Sequence, residues 1–264
     1  MKTAFYLFYI SLFFISCKKE SSVIKPIEVS VPELTKKIEI AQKKNAFLSK
    51  EVISYSLNVK FQGQEYLNAK ITQTVNGDKI KMEKASGETL LFDGKNVFTN
   101  KKNSDLNGAR FDVFTCPYFF ALPYKLNDNG TVWSQFEQKQ INGKNAATGK
   151  LTFKPNTGDA PDDWYVIYKD AATNYLVGVA YIVTFGGENL AEAEKHPSGL
   201  KYSEFKLIDG IPIATQWFWY DWDSKNGFHK EIHGEGTVSN ISFSKFDAKL
   251  FEKSANAINV PLKK

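Results

Sequence analysis

The sequence predicts a mainly β fold of the α+β kind. It is one large, bent antiparallel meander, an incomplete β-barrel, wrapped around an N-terminal helix and a short internal helix. Three observations carry this. After Lys50, apolar and polar residues alternate, as in Ile53, Tyr55, Leu57 and Val59, or Val179, Tyr181, Val183 and Phe185, the pattern of half-buried antiparallel strands. Asn-Gly or Asp-Gly occurs seven times, with first residues at 76, 93, 107, 129, 142, 209 and 226, a dipeptide that favours type I′ hairpin turns. Only residues 31–48 have clear helical spacing, too little to cover so long a sheet unless the sheet bends. Of 264 residues, 42% are hydrophobic and 14% aromatic, enough for a core and too many for wholesale disorder. The net charge of +5 is spread along the chain and does not indicate nucleic acid. Two cysteines exclude a disulfide framework and a four-cysteine zinc site.

The first element, 1–16, reads as a signal peptide. Lys2 is followed by an uncharged stretch from Ala4 to Ile15. A bilayer span needs ~20 apolar residues, so this stretch has the length of a signal core instead. It ends in Phe14-Ile15-Ser16-Cys17, then Lys18-Lys19-Glu20, which resembles the lipobox of bacterial lipoproteins. The resemblance implies that Cys17 is acylated and becomes the mature N-terminus, and two or more acyl chains anchor a protein stably. Residues 17–30 are then a polar tether, and 31–264 form one domain. Lys18 stands where an Asp would signal inner-membrane retention, so the outer membrane is favoured, with periplasmic and surface-exposed faces both open.

Along the domain, Ser30-Val31-Pro32-Glu33 reads as a capping box with proline in the first turn. Leu34, Ile38, Ala41 and Leu48 follow at near-helical spacing, predicting one amphipathic helix over 31–48. Hairpins then fill the sheet. Cys116 to Leu126, dense in aromatics between two prolines, is expected to be a short helix or plug inside the meander. Residues 186–199 read as an exposed loop or short helix.

This order resembles the half-barrel of the LolA/LolB lipoprotein-carrier superfamily. Leu91-Phe92-Asp93-Gly94-Lys95 and Ile208-Asp209-Gly210-Ile211-Pro212 look like hairpins of that fold. Tyr118 to Leu126, Asp162 to Tyr168 and Thr173 to Val177 resemble an uncharacterised family of Bacteroidota lipoproteins, over about residues 30–240. The resemblance implies a concave apolar pocket for acyl chains, with Tyr118, Phe119, Phe120, Trp164, Trp217 and Trp219 as candidates to line it. A hydrophobic ligand or lipid follows from that pocket, a membrane contact through Cys17 follows from the lipobox, and the chain is expected to be a monomer.

Motifs for catalysis are sparse. Cys116 sits in an apolar setting with no base nearby and reads as a buried small hydrophobe. His229, Glu231 and His233 would share one face of a strand. A two-residue turn at Asn226-Gly227 would set Ser224 against His229, Trp222 against Glu231, Tyr220 against His233 and Asp223 against Lys230. Two imidazoles and a carboxylate can hold a divalent metal, but a solvated strand face explains them as well. Trp217, Trp219 and Trp222 read either as an aromatic core strand or as an exposed platform for glycans. Asp159, Asp162 and Asp163, among Pro155, Gly158 and Pro161, read as a polar loop. No phosphate-binding loop, nucleophile elbow, dinucleotide fingerprint or C-x-x-C is present, so the expectation is binding, with no cofactor and no catalysis. Cys17→Ser is expected to abolish incorporation of a labelled fatty acid into the expressed protein, and persistent labelling would refute acylation at that residue.

Overall fold

The period-two alternation becomes fourteen antiparallel strands of a single sheet in the computed structural model, which describes residues 31–262. In chain order these residues form α1 (Glu33–Ala41), α2 (Lys44–Leu48), β1 (Val52–Phe61), β2 (Gln64–Thr74), β3 (Ile80–Lys84), β4 (Thr89–Phe92) and β5 (Val97–Thr99). Helix α3 (Leu106–Lys125) follows, then β6 (Thr131–Ile141), β7 (Lys144–Phe153), β8 (Tyr165–Asp170), β9 (Leu176–Tyr181) and α4 (Leu190–Ala193). The chain ends with β10 (Ser198–Ile208), β11 (Ile211–Asp223), β12 (Gly227–Phe228), β13 (Gly234–Ser244), a 3-10 turn at Ala248–Phe251 and β14 (Ile258–Val260). The expected signal peptide, Cys17, the expected tether and Ser30 of the expected capping box lie outside the described residues.

The expected single meander is two. Strands β1 to β5 form one arm and β6 to β11 the other, and β13 joins them. It pairs with β1 through Leu57 and Val238, and with β11 through Trp217 and Gly236. Strand β14 returns to pair with β5. Among the described residues the outermost strands, β14 and β6, do not meet, so the sheet is an open half-barrel. Both central residues have positive φ at Asn142-Gly143 and Asp209-Gly210 (51° and 71°, 50° and 77°), as type I′ turns require. Gln62-Gly63 does the same at 49° and 78° without the signature dipeptide. Asn107-Gly108 makes no hairpin and lies in the first turn of α3.

The predicted N-terminal helix is broken. Lys43 adopts a left-handed φ of 60° between α1 and α2. Ile38 and Phe47 are both fully buried, yet nine residues of continuous helix would set them about 180° apart. The break lets both face the core, and Leu48, expected inside, is 42% exposed. Gln42, just before the break, is buried and its side-chain carbonyl accepts the Leu176 N–H at 2.8 Å.

The internal helix is longer than the expected plug, twenty residues in place of a segment starting at Cys116. Its N-cap Asp105 accepts the Asn107 N–H at 3.1 Å. It is apolar nearly all round, as a helix buried inside a fold should be. Phe120 stacks on Tyr55 of β1 at 4.0 Å between ring centroids, and Tyr124 stacks on Phe47 at 3.8 Å. On the opposite arm, Phe119 packs on Tyr181 at 4.8 Å. One helix thus touches both arms, which requires the sheet to bend around it.

Pro117 and Pro123 lie inside α3. A helical proline leaves the carbonyl four residues earlier without its N–H partner. For Pro123 that carbonyl belongs to Phe119, and it accepts the Tyr202 hydroxyl of β10 at 3.0 Å. The residue that interrupts the helix ladder therefore also supplies an acceptor that docks the sheet. Tyr202→Phe is expected to cost about 1–3 kcal/mol, because it leaves that buried carbonyl unpaired. In a Pro123→Ala background, whose new N–H reaches the same carbonyl, the cost should fall to less than about half. Equal losses in both backgrounds, measured by urea unfolding, would refute the coupling.

Candidate functional site

Helix α3 is not covered on every side. Phe111, Phe114, Thr115 and Tyr118, spaced i, i+3, i+4 and i+7, form one stripe, and all four are half-buried. They line a cavity of about 510 Å³. Ile80 and Phe92 line it from the first arm, and Phe153, Tyr165 and Tyr181 from the second. The cavity therefore lies where the two arms of the open sheet face each other across α3. Its wall runs along the helix from Arg110 to Lys125, a rise of roughly 22 Å.

The lining is mostly apolar, and its charged side chains are Lys95, Arg110, Lys125, Asp159 and Asp163. Arg110 is 8% exposed. Its Nε and Nη2 donate to the two carboxylate oxygens of Asp159 at 2.5 and 3.0 Å, and Nη1 donates to the Val260 carbonyl at 3.3 Å. Its guanidinium also lies over the Phe114 ring, 5.4 Å from the centroid. The bidentate pair ties α3 to the β7–β8 loop, and the third bond ties it to β14. Asp163, on the same loop, has no cationic partner among the described residues. Its Oδ1 accepts the Thr184 N–H at 2.6 Å and the Thr184 hydroxyl at 2.8 Å. Burial pushes its carboxyl up to about 6. Towards the other end, Lys125 donates to the Asn76 carbonyl at 2.9 Å and pairs with Asp128 at 3.2 Å.

The structure divides the residues expected to line a pocket. Tyr118 and Phe119 line the cavity. Phe120 does not, since it faces the opposite side of α3 on Tyr55. Trp217 and Trp219 point to the core side of β11 and are buried away from the cavity. Trp164 lies on the other face of the sheet, in a second cluster with Tyr168 and Trp222. There Trp222 Nε1 donates to the Tyr168 hydroxyl at 2.8 Å. Phe228 crosses that face where side chains at Gly199 and Gly178 would come within 2.5 and 3.1 Å of its ring. All three tryptophans of β11 are at most 6% exposed, so they offer no flat aromatic platform for a glycan.

The histidine cluster is also rearranged. The turn before it has three residues, Ser224 to Asn226, because Asp223 pairs with Gly227 and Trp222 with Phe228. Asp223 accepts the backbone N–H groups of Lys225 and Asn226, which holds that turn. Strand β12 then ends at Phe228, and 229–233 are irregular, so His229, Glu231 and His233 do not share a strand face. His229 Nε2 lies 2.7 Å from Asp223, not Lys230, and His233 Nε2 lies 3.0 Å from Asp221. Glu231 is exposed. Among the described residues no three His, Cys, Asp or Glu side chains converge as a metal site would need. Cys116 is buried, and desolvation pushes its thiol up to about 12.

Arg110, Asp159 and Asp163 are the site residues that the sequence reading missed. The acidic residues looked like a solvated loop. The available signal was that Arg110 is the only arginine in the chain, placed at the start of an aromatic-rich stretch.

No protein-family profile and no curated protein sequence matches this chain. Its fold is similar to that of a LolA superfamily protein from Nitrosomonas europaea, at TM-score 0.52 and 10% identity over 82% of this chain and 97% of that one. It is likewise similar to a DUF1329 family protein from Desulfovibrio piger, at TM-score 0.51 and 12% identity over 85% and 99%. The chain therefore has a LolA-like fold, a mostly antiparallel open sheet with few helices.

The raised carboxyl of Asp163 fixes a pH dependence. A group that binds its proton more tightly when folded adds stability that is full below its unfolded value and lost as pH rises through the folded one. For Asp163 that window runs from 3.8 to about 6. Asp163→Asn keeps an oxygen for both Thr184 donors and removes the charge. It is expected to raise the melting temperature at about pH 8 and to change it little at about pH 4. A uniform shift at both pH values, by calorimetry, would count against burial as the cause.

Proposed function

We propose that this chain is a membrane-anchored envelope lipoprotein whose LolA-like domain binds an acyl-chain ligand beside α3 and performs no catalysis. The observation that carries this is the cavity of about 510 Å³ walled by a half-buried aromatic stripe of α3. Ligand pockets of this size are mostly apolar with a few placed polar groups, and Arg110, Asp159 and Asp163 are such groups here. An acyl chain along the stripe would remove Phe111, Phe114 and Tyr118 from water, the driving force for binding hydrocarbon. Likeness to LolA superfamily proteins in fold agrees with this but does not by itself assign a ligand. Attachment through Cys17 would leave the domain beside the outer membrane, the source of such ligands, on a tether of residues 17–30.

The test uses the full chain carrying Cys17→Ser, with native mass spectrometry and lipid extraction. A co-purified lipid or fatty acid is expected. Phe114→Gln, in the cavity wall, should weaken binding of a neutral naphthylamine probe by about tenfold, the effect of losing most of one buried ring. Trp164→Phe, on the far face of the sheet, should leave it unchanged. Protein that carries no lipid and refuses the probe would overturn the reading.

A further inference from the structure

The polar groups of the cavity are unequal. Arg110 has its charge fully engaged, by both oxygens of Asp159, by the Val260 carbonyl and by the Phe114 ring. It works as a tether between three elements and has little left for a ligand. Asp163 is the reverse case. Both Thr184 donors go to its Oδ1, and its Oδ2 has no protein donor among the described residues. That oxygen is not sealed from solvent, so a donor entering the cavity can reach it, and a partly buried charge in an apolar wall favours such a donor. The aromatic neighbours Tyr118, Tyr165 and Tyr181 supply no cation: they are neutral phenols, pushed up chiefly by burial, with the Asp163 charge adding to it. Burial also holds the Asp163 carboxyl up at about 6, as expected for a charge without a counter-ion.

We propose that Asp163 is the polar anchor of the cavity and that the ligand is an acyl lipid with a neutral hydrogen-bond-donor head, such as a hydroxyl group, rather than a free carboxylate. A hydroxyl would donate to Asp163 Oδ2 while the chain follows the Phe111, Phe114 and Tyr118 stripe. A fatty-acid carboxylate at Asp163 would meet a second negative charge. Of the cations that line the cavity, Arg110 is neutralised by Asp159, Lys125 pairs with Asp128, and Lys95, in the β4–β5 turn, makes no ion pair with Asp163. This rests on the acyl-binding reading above and adds the chemical class of the head.

The measurement is displacement of a neutral naphthylamine probe from the full Cys17→Ser chain at about pH 8, where Asp163 is ionised. Monopalmitoylglycerol and palmitate, each kept below its aggregation threshold, present the same chain with different heads. Monopalmitoylglycerol is expected to displace the probe at concentrations about tenfold or more below those of palmitate, the ratio that one hydrogen bond to a charged acceptor supports. Asp163→Asn should bring the two within about twofold, chiefly by improving palmitate, while Asp162→Asn, an exposed neighbour, should preserve the preference. Palmitate competing equally in the parent chain would overturn the assignment, and that comparison needs no variant to fold. A preference that survives Asp163→Asn would overturn it as well. If the probe binds and palmitate alone displaces it, acyl binding stands and the donor head falls. If neither lipid nor probe binds, both readings fall together.

Discussion

A sheet of fourteen strands cannot leave its inner face to water, and the described residues offer one long helix to fill it. Helix α3 is therefore the constraint on which the rest depends. It must be apolar on most of its surface, and it must be fixed to both arms of the sheet. Two aromatic stacks, Phe120 on Tyr55 and Tyr124 on Phe47, hold it to β1 and α2. Tyr202 and Tyr181 hold it to the other arm. Because the outer strands β6 and β14 stay apart, coverage of α3 is incomplete. The stripe left over becomes the wall of the cavity. The open sheet and the cavity are thus one geometrical fact.

Polar interactions near that wall serve placement more than net stability. A buried ion pair roughly repays its desolvation, so Arg110 and Asp159 need not make the fold stronger. They hold the β7–β8 loop against α3, and Arg110 also catches the carbonyl of Val260 in β14. Strand β14 has only three residues and pairs on one side with the equally short β5. A strand so small gains little from its own ladder. A second network does the same at the start of α3, where Lys84 bridges Glu88 and Asp112 at 2.9 and 2.8 Å. Both charge clusters lie on the N-terminal half of the helix, which leaves Phe114 and Tyr118 as the apolar centre of the cavity wall.

What was legible in the sequence had a short period. Alternation marked the strands, and Asn142-Gly143 and Asp209-Gly210 marked two hairpins, because those signals are local. The extent of α3 was not legible for a physical reason. A helix buried almost all round has no polar face, so no 3.6-residue stripe appears, and Gly108, Pro117 and Pro123 argue locally against a helix. The break at Lys43 was hidden likewise, since it exists to bring Phe47 onto Tyr124, a contact far along the chain. The pairing of β13 with β1 joins the two ends of the domain, which no local pattern encodes. At the histidines, a turn one residue longer than expected changed the cross-strand pairs, and the end of β12 at Phe228 removed the common face. The cavity residues were half legible. Tyr118 and Phe119 stood out as aromatics, but parity could not separate them from Phe120, Trp217 and Trp219.

The misread acidic loop connects fold to function. Asp159, Asp162 and Asp163 are close in sequence and differ in environment. Asp162 is exposed and solvated, as composition suggested for all three. Asp159 is spent on the chain's one arginine. Asp163 is held by Thr184 with an oxygen to spare. A partly buried carboxylate in an apolar wall costs free energy, whereas an amide at the same position could satisfy Thr184 without a charge. The same is true of the phenylalanines of α3, which lose to water what a hydrocarbon chain would restore. An apolar stripe and an underserved acceptor on one wall have a common complement. It is a molecule with a long apolar part and a donor at one end.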